Sequence, residues 1–337
     1  MEIEIPPLNL SHLFRLTDET GIFQHAKFSV PNPHFGYTTD DNARALVAVI
    51  RLLKKKKDLR LERLIPVFLR FLLYAYHDGK FHNFLGFNRC WEDKEEFADC
   101  GGRALWALAV TSTFPSLYQK MASVFFDETI GSFKPSALRT KSYLLLALTE
   151  RLKVKEDSFF KAKVKELGED LIHCFQKEEN WSWFGEKITH DNGRFPQALL
   201  SAYQALNDRR FLKVGLESLD FLLQVTFDKK KNCFSFIGHE GWRKGEKRPI
   251  FDQQPIEAGS IIEACLLAYQ VTEKKFYWEM ALAAFQWFFG RNIHNLSLYN
   301  PKSGGVRDAL MEKGMNLNEG AEALLSLLLV YPLMTGS

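Results

Sequence analysis

Carboxylate side chains recur where the apolar, helix-like stretches of this sequence begin. Adjacent acids cannot both cap a helix, so one of Asp40 and Asp41 is expected to project freely, and Glu257 begins another such stretch. Cleavage of a glycosidic bond needs two carboxyls, one protonated by its surroundings and the other ionised. Asp40, Asp41 and Glu257 are therefore the leading candidates for acid, base or nucleophile.

Polar side chains that could bind a ligand lie at the same positions. Arg307 stands beside Asp308, and an arginine next to a carboxylate can bind vicinal hydroxyls or an anionic group. Asp99 and Asp191 are interpreted first as helix caps, each followed by an arginine that could pair with it. The candidate binding residues are Asn42, Arg44, Arg103, Asp191, Asn192, Arg194, Gln253, Gln254, Arg307, Asp308, Asn318, Glu319 and Glu322.

Aromatic residues are dense in the segments between the apolar stretches. Aromatic rings pack against the C–H surfaces of sugars while neighbouring polar groups bind the hydroxyls, so this mixture suits a saccharide. Trp91 and Trp183, beside charged residues and close to helix starts, are the best candidates. The alternative is that these rings cover the hydrophobic core.

Composition and motifs argue against several other functions. The net charge is +3 and the only two lysine runs fall in expected turns, so no nucleic acid is predicted as a partner. The apolar stretches are shorter than the ~20 residues of a membrane span, and the N-terminus lacks a secretory signal, which predicts a cytoplasmic protein. Neither a nucleophile elbow nor a glycine-rich phosphate loop occurs, and no histidine spacing indicates zinc. No metal or other cofactor is predicted, although calcium held by loop carboxylates stays open.

Apolar residues recur at helical spacing almost throughout, which predicts an all-α fold. The expected helices are near 9–18, 41–54, 61–76, 100–110, 116–125, 136–152, 158–177, 192–206, 209–226, 257–271, 274–290 and 318–334. Every second helix begins with a polar cap and small residues, and these starts recur about every 56 residues, the size of one helical hairpin.

The connections before these helices are mostly long, and those after them are short. We therefore predict that residues 1–337 form one (α/α)6 toroid of six hairpins, with the long loops gathered at one mouth.

Three segments carry a resemblance to a known family. They are 36–44 (GYTTDDNAR), 251–258 (FDQQPIEA) and 318–322 (NEGAE). They resemble an uncharacterised bacterial family of six-hairpin-glycosidase-like proteins, often found near or fused to glycosyltransferases, over nearly the whole chain. The resemblance implies the (α/α)6 fold of the wider superfamily, and a possible glycosyltransferase partner. Adjacent aspartates also occur in the catalytic site of the α-1,6-mannanases of that superfamily, which makes Asp40 and Asp41 a match by analogy.

These observations favour a glycoside hydrolase acting on an oligosaccharide that contains mannose. Other functions stay open: a non-catalytic carbohydrate-binding partner of a glycosyltransferase, a sugar epimerase or isomerase, and a phosphorylase. Epimerases of the superfamily use barrel histidines, and here those expected near the mouth are His25, His34, His190 and His239.

Overall fold

The computed structural model describes residues 4–93 and 98–335, and all twelve expected helices are present there. They are α1 (Ser11–Leu16), α2 (Thr39–Lys55), α4 (Leu64–Ala75), α5 (Ala98–Ser112), α6 (Gln119–Ile130), α7 (Leu138–Leu152), α8 (Ser158–Cys174), α9 (Arg194–Leu206), α10 (Arg209–Thr226), α11 (Pro255–Thr272), α12 (Lys275–Trp287) and α13 (Ala321–Met334). One extra turn of helix, α3 (Leu59–Glu62), leads into α4.

Six of these helices form an inner ring. Neighbours pack in the order α2, α5, α7, α9, α11 and α13, and α13 closes the ring against α2. The helices α4, α6, α8, α10 and α12 each pack outside the inner helix that precedes them, and α1 packs on α13. The predicted toroid of six helical hairpins is therefore confirmed.

Small residues at the starts of the inner helices allow their close approach. A Cβ atom on Gly193 would lie 2.3 Å from the backbone carbonyl oxygen of Ser260, on the neighbouring helix. A Cβ atom on Gly259 would lie 3.0 Å from the carbonyl oxygen of Ser326, and one on Gly102 3.1 Å from that of Thr140. The backbones of neighbouring inner helices thus meet where a side chain would keep them apart.

The connections that precede the inner helices contain short antiparallel strand pairs, which the sequence pattern did not predict. Strands of two to four residues are too short for a recognisable alternation of apolar and polar residues. The pairs are Ala26–Lys27 with Val30–Pro31, Tyr37–Thr38 with Phe84–Leu85, Tyr76–His77 with Lys80–Phe81, Phe175–Glu178 with Trp181–Phe184, Lys187–Ile188 with Trp242–Arg243, Phe227–Asp228 with Cys233–Phe234, Tyr299–Asn300 with Gly305–Val306, and Ala309–Met311 with Gly314–Asn316.

These strand pairs, and a 3₁₀ turn at Pro33–Phe35, lie between the end of an outer helix and the start of the next inner helix. Because hairpins alternate in direction, all of them gather at the end of the barrel where the inner helices begin. We call this end the mouth, and the opposite end the far end.

Candidate active site

A cavity of about 370 Å³ opens at the mouth. Its wall is rich in carboxylates, which are Asp40, Asp41, Asp252, Asp308 and Glu322. The remaining polar lining consists of Arg44, one threonine, two histidines and four amides, namely Thr38, His25, His239, Gln24, Asn83, Gln254 and Asn316. The volume is at the lower end of the range for small-molecule sites, and the polar lining suits a polyhydroxylated ligand.

Asp41 is held at the start of α2 by a reciprocal capping arrangement. Its backbone N–H donates to the hydroxyl oxygen of Thr38, and that hydroxyl donates to Asp41 Oδ2 over 2.7 Å. The side chain is almost fully buried, and this desolvation raises its pKa to about 6, although the nearby Arg44 opposes the shift. Asp41 is thus a carboxyl that can carry a proton close to neutral pH.

Arg44 joins Asp41 to a second carboxylate. Its Nη1 lies 3.0 Å from Asp41 Oδ1 and 3.1 Å from Glu322 Oε2, so these two oxygens can be no more than about 6 Å apart. The side chain of Glu322 is 42% exposed, whereas that of Asp41 is 4% exposed. The pair therefore consists of one buried and one accessible carboxyl on the same cavity.

Asp40, the neighbour of Asp41, pairs with a different arginine. Its Oδ1 accepts a hydrogen bond of 2.9 Å from Arg103, whose side chain is buried. Arg103 is the second member of a buried row of alternating charges that runs down the barrel from the mouth. We call this row the ion ladder; its contacts are Asp40–Arg103 (2.9 Å), Arg103–Asp191 (3.4 Å), Asp191–Arg194 (3.2 Å), Arg194–Glu263 (2.8 Å) and Glu263–Arg51 (2.7 Å).

The ion ladder keeps the carboxylates of Asp191 and Glu263 charged despite their burial. Desolvation by itself would raise the pKa of Asp191, but the positive charges of Arg194 and Arg103 hold it far below its usual value. The same balance, with Arg194 and Arg51 as the cations, lowers the pKa of Glu263 to about 2. Asp191 and Arg194 were predicted as binding residues, and the structure places both inside the barrel wall.

Glu257, a predicted catalytic candidate, is buried and does not line the cavity. Its carboxylate accepts hydrogen bonds from the backbone N–H of Asp191 and from the side-chain amide of Asn192, the latter over 2.8 Å. Burial raises its pKa to about 7. The carboxylate of Glu257 binds at this position because the N–H groups just before α9 lack partners within the helix, and a carboxylate is a favourable acceptor at a helix N-terminus.

The two tryptophans predicted to bind sugar do not line the mouth cavity. Trp183 is 1% exposed and packs against Phe184, Phe195 and Phe221 in the core. Trp91 is half-buried and stacks on His82 in a side pocket that also includes Tyr74. The alternative interpretation, that these rings cover the core, describes Trp183 correctly.

The other predicted binding residues divide into two groups. Arg44, Gln254, Asp308 and Glu322 line the cavity together with Asp40 and Asp41. Asn42, Arg103, Asn192, Gln253, Arg307, Asn318 and Glu319 do not line it, and their side chains hold mouth segments in place through hydrogen bonds to neighbouring backbone or charged groups.

Arg307, for example, binds the carbonyl of Leu317 and the carboxylate of Glu319. Asp308 is a lining residue that also caps α13, since its Oδ1 accepts a hydrogen bond of 2.6 Å from the N–H of Gly320. Burial raises its pKa.

Three histidines face the cavity or lie close to it. His25 and His239 line it, and Nδ1 of His239 accepts the N–H of Asp252 over 3.3 Å. The side chain of His190 reaches the surface, although protein surrounds most of it. This partial desolvation, together with the positive charges of Arg139 and Arg103, lowers its pKa to about 4. His34 is exposed on the adjoining turn and does not line the cavity.

Gln24, Asn83, Phe84 and Asp252 line the cavity although they were not among the predicted catalytic and binding residues. Asn83 and Phe84 are placed by Asp93, whose carboxylate accepts both of their backbone N–H groups. Their position depends on the folding of a long loop, for which the sequence carries no periodic signal.

Within the described residues, neither a metal-binding cluster nor a membrane-spanning helix is found. Residues 4–93 and 98–335 contain no group of three or more histidine, cysteine or acidic side chains that could hold a metal ion. Within the same ranges, none of the helices combines the length and apolar character that crossing a membrane requires.

Comparison with known proteins gives structural neighbours only. No protein-family profile matches the chain, and no curated protein does. A cellobiose 2-epimerase from Bacillus thermoamylovorans B4167 superposes with a TM-score of 0.76 at 10% identity, over 97% of this chain and 96% of that chain. A D-mannose isomerase gives 0.73 at 12% identity, over 96% and 94% of the two chains.

A third neighbour is an α-1,6-mannanase from Salegentibacter sp. HEL1_6. It was solved as an inactive variant, with two consecutive aspartates replaced by alanine, in complex with α-1,6-mannotetrose. Its TM-score is 0.66 at 12% identity, over 96% of this chain and 95% of that chain. At such identities the likeness establishes the (α/α)6 fold, while the resemblance to a bacterial family associated with glycosyltransferases stays a prediction.

Proposed function

We propose that this chain is a carbohydrate-active enzyme that hydrolyses a glycosidic bond of an oligosaccharide in the mouth cavity. The observation that carries the proposal is the carboxyl pair of Asp41 and Glu322, with oxygens no more than about 6 Å apart on one cavity wall. Asp41 is the acid, because its pKa of about 6 lets it hold a proton that it can give to the glycosidic oxygen. Glu322, the accessible member, is the nucleophile.

The separation of the two carboxyls bears on the stereochemical course. Retaining enzymes hold their carboxyls about 5 Å apart, whereas inverting enzymes need ~6.5–9.5 Å to admit a water molecule. The two oxygens that contact Arg44, one from each carboxyl, lie within about 6 Å of each other, and on the basis of this oxygen pair we propose retention. Arg44 also provides a positive charge that stabilises the ionised form of Asp41 as its proton leaves.

Asp40 has a supporting role in this proposal. Its ion pair with Arg103 leaves the carboxylate on the cavity wall, where it can bind sugar hydroxyls or act as the nucleophile in place of Glu322. A mannanase with the same fold is inactive when two consecutive aspartates are replaced, which supports a part for the consecutive Asp40 and Asp41 and a mannose-containing substrate. Glu257 acts as a positioning residue behind the wall.

A second candidate function is the epimerisation or isomerisation of a free sugar. It is favoured by His25 and His239 on the cavity wall, since an imidazole is a common general base that can remove and return the proton of a carbon next to a carbonyl. Two of the structural neighbours are a cellobiose 2-epimerase and a mannose isomerase. The two reactions use different groups of the same cavity and give different products.

A single experiment separates these functions. The protein is incubated in D2O with α-1,6-mannotetraose, other oligosaccharides and free hexoses, and the products are analysed by mass spectrometry and NMR. Hydrolysis shortens the oligosaccharide without placing deuterium on carbon, whereas epimerisation or isomerisation by exchange leaves chain length unchanged and incorporates deuterium at C2.

Variants then assign the groups. We expect Asp41→Asn and Glu322→Gln each to lower kcat of hydrolysis at least about 100-fold, while the exposed surface variant Glu169→Gln keeps it. Full activity of both site variants would refute the assignment. The second function would be established instead if the unaltered protein places deuterium at C2 and His239→Asn is the one variant of the three that loses activity. Calorimetric sugar binding without any product would make the chain a binding protein.

A further inference from the structure

A second cavity, of about 420 Å³, lies at the far end of the barrel, where the inner helices end. Arg51, Trp106 and Glu263 belong to its deep part, and Gln204, Gln270 and Trp278 belong to its outer part. We call it the far-end cavity. Its volume is slightly larger than that of the mouth cavity, and none of the residues that line one cavity lines the other.

The charges of the far-end cavity are balanced, unlike those of the mouth. Arg51 is paired with Glu263 at 2.7 Å, and Lys153 with Glu150 at 2.6 Å. An anion such as phosphate would have to displace a carboxylate from its cation, at a cost in desolvation. The lining therefore suits a polar ligand that carries no net charge.

Aromatic rings and amides occur side by side in this cavity. Trp106 lies under the guanidinium groups of Arg51 and Arg194, each 5.3 Å from the ring centre, so its orientation is fixed. Trp278 is half-buried beside Tyr269, with 6.0 Å between the ring centres. Rings of this kind can pack against the C–H face of a sugar.

The outer polar groups of the cavity are available for a ligand. In the part of the chain that the structure describes, the side-chain amides of Gln204 and Gln270 and the hydroxyl of Tyr269 have no hydrogen-bond partner within the protein, and all three residues are exposed. Deeper groups are satisfied internally, since Thr149 and Ser201 bond to each other at 2.8 Å. The arrangement thus has rigid inner walls and free donors and acceptors outside.

We propose that the far-end cavity is a second binding site, for a neutral polyhydroxylated molecule of the size of a mono- or disaccharide. The proposal does not depend on the reaction at the mouth. A sugar ring lies against Trp278, and its hydroxyls bond to the amides of Gln204 and Gln270.

Tryptophan fluorescence can test this proposal, because the mouth cavity has no tryptophan in its lining while the far-end cavity has two. The purified protein is titrated with D-mannose, D-glucose, α-1,6-mannobiose and cellobiose up to about 100 mM, which covers millimolar affinities. We expect a saturable change in emission with at least one of these sugars. Trp278→Phe should remove most of that change, whereas Trp242→Phe, which alters a mouth-side loop, should keep it.

Gln270→Leu provides a variant that does not disturb the core, because the residue is exposed. We expect it to weaken sugar binding about two- to tenfold, the effect of losing one hydrogen bond to a hydroxyl. Crystals soaked in the same sugar should contain it between Trp278 and Gln204. The proposal is overturned if no sugar gives a saturable response, if the response survives in both Trp278→Phe and Gln270→Leu, or if inorganic phosphate binds and the sugars do not.

Discussion

Replacing Glu263 by glutamine should strongly destabilise the barrel. Glu263 is the acceptor that joins two arginines in the ion ladder: its Oε1 lies 2.8 Å from Arg194 and its Oε2 lies 2.7 Å from Arg51. It also accepts a hydrogen bond of 3.1 Å from Gln197. Glutamine has nearly the same shape, so the change removes the charge and one acceptor while leaving the volume of the core unchanged.

Two independent arguments give the magnitude. The fall in the pKa of Glu263 from 4.5 to about 2 corresponds to about 3 kcal/mol of stability at neutral pH, at 1.36 kcal/mol per pKa unit. Removing one partner of a buried ion pair typically costs about 3–5 kcal/mol, because the other charge is left uncompensated. We therefore expect the free energy of unfolding at pH 7 to fall by about 3–4 kcal/mol.

The pH dependence of this loss follows from the sign of the shift. The pKa of Glu263 is depressed in the folded state, so its contribution is complete above about pH 4.5 and disappears as the pH falls towards 2. Urea unfolding followed by circular dichroism should show the full deficit of Glu263→Gln at pH 7 and a smaller one near pH 3.

Glu169→Gln is the matched control, because Glu169 forms an exposed pair with Arg210. We expect this variant to lie within about 1 kcal/mol of the unaltered protein. If Glu263→Gln were equally mild at pH 7, the view that the ion ladder is a tightly compensated buried unit would be wrong.

Three further outcomes are expected. The pKa of Asp41 is raised to about 6, so between pH 4 and pH 6 the folded state keeps a proton that the unfolded state has lost. The free energy of unfolding should therefore fall by up to about 3 kcal/mol between pH 4 and pH 7. Urea titrations of Asp41→Asn should lack this part of the fall. Gly193→Ala places a Cβ atom 2.3 Å from the Ser260 carbonyl and should lower the melting temperature by several degrees or prevent folding. Gly314→Ser is the milder control: a Cβ atom there meets open space, and the positive φ, strained for serine, should cost about 1 kcal/mol of stability. Trp183→Ala should lose about 3–5 kcal/mol of stability while the folded fraction keeps its KM for sugar, and a raised KM with unchanged stability would show that the ring contacts the ligand.

The sequence was enough to predict the fold because the apolar period of a helix is visible within a short stretch of sequence. Apolar residues at intervals of three and four recur along almost the whole chain, and small residues recur about every 56 residues where the inner helices begin. Repetition makes each assignment support the others, and all twelve helices were found. It also located the mouth, since the loops and the inner-helix starts must lie at one end.

The sequence did not show which polar side chains at the N-termini of the inner helices line the cavity and which stabilise the barrel. Asp41 and Glu257 follow similar local patterns, yet Asp41 borders the cavity while Glu257 turns to the N–H groups ahead of α9. The choice depends on which unpaired donor lies within reach across the ring, and that distance is absent from the sequence around either residue.

The catalytic assignment therefore differs between the sequence and the structure, because the inner ring of helices brings distant carboxylates together. From sequence, Asp40, Asp41 and Glu257 were equal catalytic candidates, and Glu322 was predicted only as a binding residue. Arg44 brings Glu322 to within about 6 Å of Asp41 only because α13, at the end of the chain, packs against α2, near its beginning. Local pattern determined the helices and the end at which the polar groups meet; packing between distant segments decided which groups share a cavity, because burial and charge pairing depend on neighbours that the linear order does not specify.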